Sequence, residues 1–198
     1  MLLSGLLLSL ALLANALYIP LKAHLAQLLL HRAWAETQAG SPTKPWPWAD
    51  THPVGKLTVG GESHIVLLGS HGEAMAFAPG LMEGIEQPII SAHRDTHFRA
   101  LEEAEIGDTL TWQTASATRT YRIAAMEVVA TPRASVPEGA LVLTTCWPFD
   151  ALTRGPERLV VTAFPVVGEV GVEEGEEGGP VLLHDAVRAG PLPDRDVG

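Results

Sequence analysis

The chain has 198 residues, 46% of them apolar, which suffices for one domain with a real core plus appendages. Its formal net charge of −10 argues against nucleic acid as a partner, and the acidity is concentrated in residues 165–198, with eight Asp/Glu against two Arg. A single cysteine excludes a disulfide within the chain, and a thiolate metal site would need more ligands.

Residues 2–19 carry no charge over 18 positions. A helix of that length reaches about 27 Å, barely a bilayer core. Two readings follow: an uncleaved membrane anchor, or a signal peptide, since Ala14-Asn15-Ala16 fits a small-x-small cleavage site. No Lys or Arg precedes the run, so flanking charge sets no orientation. In residues 21–34, Leu21, Leu25, Leu28 and Leu29 recur at i, i+4, i+7 and i+8. That spacing predicts an amphipathic helix, packed on the domain that follows or lying on a bilayer. Pro45 and Pro47 deny regular structure to residues 37–53, where Trp46 and Trp48 either plug the core or meet a membrane interface.

From residue 54 the pattern is β. Val, Ile, Leu and Thr dominate 54–59, 64–69, 73–78, 87–92, 108–114, 118–131, 140–146 and 157–164, punctuated by Gly, Pro, Asp or Glu. The run 118–131 is long enough to bend. Short strands at tight spacing predict a closed barrel or a sandwich, with a short helix around Arg99–Ala104. The Gly- and Glu-rich stretch 169–180 is expected to be disordered, and residues 181–189 to form a turn or two of helix.

Cys146 ends the apolar run "ALVLTTC"; "PIISAHRDTHF" (88–98) precedes it and "ERLVVTAF" (157–164) follows. A cysteine at a strand end, between a His strand and an Arg strand, is a nucleophile's setting. His93 suits the acid and base roles because imidazole titrates near neutral pH. Arg158 opens an apolar strand and can aim a permanently charged fork at a developing oxyanion. Arg154 competes, but in a Gly-Pro turn. His97 reads as a structural hydrogen-bond donor. Asp95 reads as an orienter of His93, a neutraliser of an Arg, or a loop cap. "HRDTH" on a strand or loop does not converge on a metal, and neither a metal nor an organic cofactor is expected.

These motifs resemble those of the sortase family. "LVLTTC" with Arg158 twelve residues on is similar to its Cys and Arg signature, and "SAHRDTHF" to its His motif. Val142 and Ala92 depart from the usual Thr and Gly. "KPWPWADTHPVGKL" (44–57) and "AMAFAPG" (74–80) resemble the Gram-negative, marine proteobacterial type (class GN). The resemblance covers roughly residues 22–164. It implies an all-β fold: an eight-stranded closed barrel with short helices, preceded by the apolar N-terminal helix. The units are then 1–21 (anchor or signal), 22–53 (amphipathic helix and Pro/Trp lead-in, the tryptophans packed on the domain), 54–164 (catalytic domain) and 165–198 (acidic tail).

The activity implied is that of a cysteine transpeptidase with Cys146, His93 and Arg158 as catalytic residues. It cleaves a C-terminal Leu-Pro-x-Thr-Gly-like sorting signal of a protein substrate and passes the acyl group to an unspecified amine. Thr145, Trp147 and Pro148 are assigned to the substrate groove. The chain is then a single-pass inner-membrane protein with its catalytic domain in the periplasm. The alternatives are a hydrolytic cysteine peptidase and a non-catalytic, membrane-anchored β module that binds peptides.

Overall fold

A computed structural model describes residues 2–70, 72–130, 136–151, 153 and 155–166. The acidic stretch 169–180, the segment 181–189 and Arg154 lie outside the described residues.

The N-terminal segment is one helix, α1 (Leu2–Gln38), continuous through Pro20. Among the described residues no helix is long and apolar enough to cross a membrane. The second half of α1 does pack on the domain, but not through the leucine stripe. Ala26, Leu30, Ala33 and Trp34 are buried, while Leu21, Leu25 and Leu28 are exposed and Leu29, the fourth of the stripe, is half-buried. The buried set has helical spacing too, rotated to one side, and its alanines let the helix lie close. Leu30 and Trp34 meet Ile65, Leu67, Ala74 and Ala78, and Gln27 donates to the Phe77 carbonyl at 2.9 Å. The two tryptophans part company. Trp46 packs edge-on against Phe77 with centroids 5.2 Å apart, whereas Trp48 is 77% exposed and corrects the expectation that both pack.

Eight strands close a barrel in the order β1-β2-β3-β4-β7-β8-β6-β5. They are β1 (Pro53–Val59), β2 (Glu62–Leu68), β3 (Gly80–Leu81), β4 (Ile89–Ser91), β5 (Thr109–Gln113), β6 (Thr118–Val129), β7 (Leu141–Cys146) and β8 (Arg158–Pro165). One expected strand is wrong: residues 73–78 hold the short helix α2 (Glu73–Phe77). Glu, Ala and Met there are strong helix formers, and local preference wins where no ladder partner is offered. The barrel position goes instead to the two-residue β3. A 3₁₀ turn, Arg99–Glu102, stands where the short helix was expected.

β6 does bend. It pairs with β5 through Thr118–Arg122 and with β8 through Tyr121–Val129, with a register shift between Ile123 and Ala125. The seam between β1 and β5 closes over Gly55, where a Cβ would lie 2.1 Å from the Trp112 ring. The interior is filled by Leu57, Ile90, Phe98, Leu110, Ile123, Leu141, Leu143 and Val161. Two pairings are parallel, β2 with β3 and β4 with β7. The second of these builds the site.

Candidate active site

β4 and β7 run in the same direction, with Ile89 opposite Val142, Ile90 opposite Leu143 and Ser91 opposite Thr144. Their chain-forward ends therefore lie together. Continuing this register by two residues sets His93 level with Cys146. The Ala92 N–H donates to the Thr144 carbonyl at 3.2 Å and carries the pairing past the end of β4. β8 is antiparallel to β7 and starts at that same end, with Arg158 directly opposite Cys146. Three segments far apart in the chain thus deliver His93, Cys146 and Arg158 to one rim of the barrel.

Strand alternation decides which face each side chain takes. On β7, Leu141, Leu143 and Thr145 are buried inward, and Val142, Thr144 and Cys146 take the outer face. On β8, Leu159, Val161 and Ala163 go inward, and Arg158, Val160 and Thr162 go outward. The outer faces of β4, β7, β8 and β6 form the floor of a groove of about 690 Å³. Met82 and Ile85 from the β3–β4 loop and Val136 and Pro137 ahead of β7 wall it. The lining is mostly apolar, with Ser91 and Thr162 supplying hydroxyls and Arg158 at the Cys146 end. Cys146 is a free, partly exposed thiol.

Arg158 Nη1 donates to the carbonyls of Gly155 at 2.9 Å and Glu157 at 2.8 Å. Two bonds on one nitrogen anchor the fork to its own loop. Nε and Nη2 make no hydrogen bond to protein among the described residues, so one edge of the guanidinium is available to a ligand.

Thr145 does not line the groove. It is 2% exposed and its hydroxyl donates to the Ala92 carbonyl at 2.8 Å. It ties β7 to the residue before His93, and the groove residue is Thr144, two positions before Cys146. Trp147 and Pro148 lie in the loop after Cys146, outside the groove lining. Trp147 packs on the barrel core with Phe149 edge-on at 5.7 Å, and its backbone N–H donates to the Glu157 carbonyl at 3.1 Å.

Two features around the site were not legible as such. Arg94 is only 6% exposed. Its Nη1 donates to the Pro148 carbonyl at 2.6 Å and its Nη2 to the Ala151 carbonyl. The turn bearing His93 is thereby fastened to the loop following Cys146. Asp95 pairs with Arg94 Nε at 3.3 Å, the second of the roles open to it. The only sequence signal was an Arg beside the His. The other feature is a histidine cluster. The His93 carbonyl accepts from the Phe98 N–H at 3.2 Å, closing a turn, and His97 packs edge-on against His64 of β2 with centroids 5.2 Å apart. Burial, with the His64 and His93 imidazoles nearby, pushes His97 down to about 4. Burial also lowers His64, offset in part by Glu62, whose carboxylate is 3.6 Å away. His64 lies on another strand, so no local spacing could reveal this partnership.

The family comparison bears on this arrangement directly. Residues 58–166, more than half of the chain, match the model of the sortase domain. The chain belongs to the sortase family. Among curated proteins, sortase D of Bacillus subtilis (strain 168) is 34% identical over 80 residues, which is 38% of this chain and 40% of that protein. The match therefore spans less than half the length of that relative. Solved sortases share the fold. Sortase C1 from Streptococcus suis superposes with TM-score 0.53 at 19% identity, covering 62% of this chain and 76% of that one. A Clostridium perfringens sortase D5 transpeptidase gives 0.56 at 15% identity, covering 72% and 99%.

Proposed function

We propose that this sortase is a cysteine transpeptidase with Cys146 as nucleophile, His93 as proton carrier and Arg158 as oxyanion donor. The observation carrying this reading is the convergence of the three residues on one rim of the barrel through the β4–β7–β8 register, with Arg158 also lining the mostly apolar groove. The Cys146 thiolate attacks the scissile carbonyl, and the electron pair pushed onto oxygen meets the unengaged edge of Arg158. Collapse breaks the C–N bond, and His93 gives its proton to the leaving amine. A thioester remains. An acceptor amine then attacks it, the C–S bond breaks and His93 takes the amine's proton, so the new amide forms and the Cys146 thiolate and protonated His93 are restored.

The substrate is a protein with a C-terminal Leu-Pro-x-Thr-Gly-like signal. Support comes from the groove of about 690 Å³, with an apolar far end formed by Met82, Ile85, Val142 and Phe164. The Gram-negative type rests on the Pro/Trp block at 44–57. A periplasmic domain held by a single inner-membrane segment rests on the uncharged run 2–19, most of whose side chains lie outside the described residues.

The test incubates the enzyme with a Leu-Pro-x-Thr-Gly peptide, with and without an added primary amine, and reads products by mass spectrometry. An amide joining the acyl fragment to the amine is expected. Hydrolysed product alone, unchanged by amine, would favour the peptidase. An unreactive Cys146 and no product would favour a binding module.

A further inference from the structure

Apart from Arg158, one charged residue lines the groove among the described residues, Glu127 of β6. It is exposed and makes no ion pair among the described residues. Its position along the groove follows from the register. Val129 pairs with Arg158, which pairs with Cys146, so these three mark the level of the reacting carbonyl. Glu127 pairs with Val160, which pairs with Thr144, one side-chain repeat further along. That step is about 7 Å at the rise of a β-strand.

The acyl half of the substrate stays bound through both chemical steps, whereas the leaving amine must depart and the acceptor enter. The groove therefore holds the acyl half, and the leaving group projects from the Cys146 rim. With the acyl carbonyl at Cys146, the Cα of the residue one before the acyl residue lies about 5 Å back in an extended peptide, within reach of a Glu side chain rooted at the Glu127 level. The next level, Ala125, Thr162 and Val142, is uncharged and receives residues further back.

We propose that Glu127 is a specificity residue, selecting a basic side chain at the second position on the acyl side of the scissile bond. In a Leu-Pro-x-Thr-Gly-like signal this is the variable position x. The proposal rests on the transpeptidase reading for its substrate frame. Glu127 is exposed to solvent on the groove floor, so the preference is modest, about two- to fivefold for Lys over Glu at x. It weakens as salt rises.

The experiment compares peptides differing only in Lys or Glu at x. It measures kcat/KM with the full chain and, separately, Kd by fluorescence anisotropy on Cys146→Ala. Wild type is expected to favour Lys, Glu127→Gln to bring the ratio to about one, and Glu127→Lys to invert it. The Gln variant also separates this local effect from the chain's overall acidity, which it barely changes. Equal use of both peptides by wild type, or a preference that survives Glu127→Gln, overturns the proposal. A Lys preference in binding without cleavage sinks the transpeptidase reading and leaves the assignment of Glu127 standing. No binding of either peptide to Cys146→Ala overturns the assignment as well.

Discussion

Around Cys146 side chains alternate with a period of two, and each falls on the face that alternation assigns. Val142, Thr144, Arg158, Val160 and Thr162 line the groove, while Leu143, Thr145, Leu159 and Val161 are buried behind it. In α1 an equally regular pattern misleads. The stripe Leu21, Leu25 and Leu28 faces outward, and Ala26, Leu30, Ala33 and Trp34 meet the barrel. The difference is one of constraint. A strand has two neighbours whose hydrogen bonds fix its rotation, so only two faces exist. A helix satisfies its backbone internally and can present any azimuth. When apolar residues occur on more than one side, the partner surface chooses the buried one.

The largest effects should come at the register-fixed end. Cys146→Ala is expected to abolish both cleavage and transfer while the melting temperature stays within a few degrees of wild type. Turnover by a well-folded Ala variant would remove the thiol from the mechanism. Arg158→Lys keeps the charge but loses the anchored fork, and should lower kcat/KM by about 10²-fold. A change under about tenfold would mean that position 158 needs only a charge.

The helix supplies the contrast in stability. Leu30→Ala removes a fully buried side chain and should cost about 2–5 kcal/mol in urea unfolding. Leu28→Ala, at a site 68% exposed, should change stability by less than about 0.5 kcal/mol. Equal effects would show that the leucine stripe, and not the alanine face, is the packed one.

A smaller effect comes from the histidine cluster. His97 has a folded pKa of about 4, below the ordinary value of 6.5. Between those values the unfolded chain binds its proton first, so stability falls as pH drops from 6.5 towards 4 and levels off below. The group is partly solvent-screened, which holds its share to about 1–2 kcal/mol. His97→Gln should flatten the urea-unfolding stability curve by that amount in this window. An unchanged slope would place His97 outside the coupling.

The sequence alone determined the β character of the domain, the long strand β6 and the family. These rest on composition, period-two runs and three separated motifs, all of which are local. It also singled out Cys146, His93 and Arg158, because each stands at the end or start of an apolar run where a strand meets its loop. Only tertiary structure decided the rest. Residues 73–78 became helix because β3 took the neighbouring ladder position. Thr144 replaced Thr145 in the groove once the inside of the barrel was defined. Arg94 became a tie because the parallel β4–β7 pair brought Pro148 and Ala151 within reach of its guanidinium, and His64 met His97 across strands. Each outcome depends on which distant segments share an edge. That is set by barrel closure and register, which no local run of residues encodes.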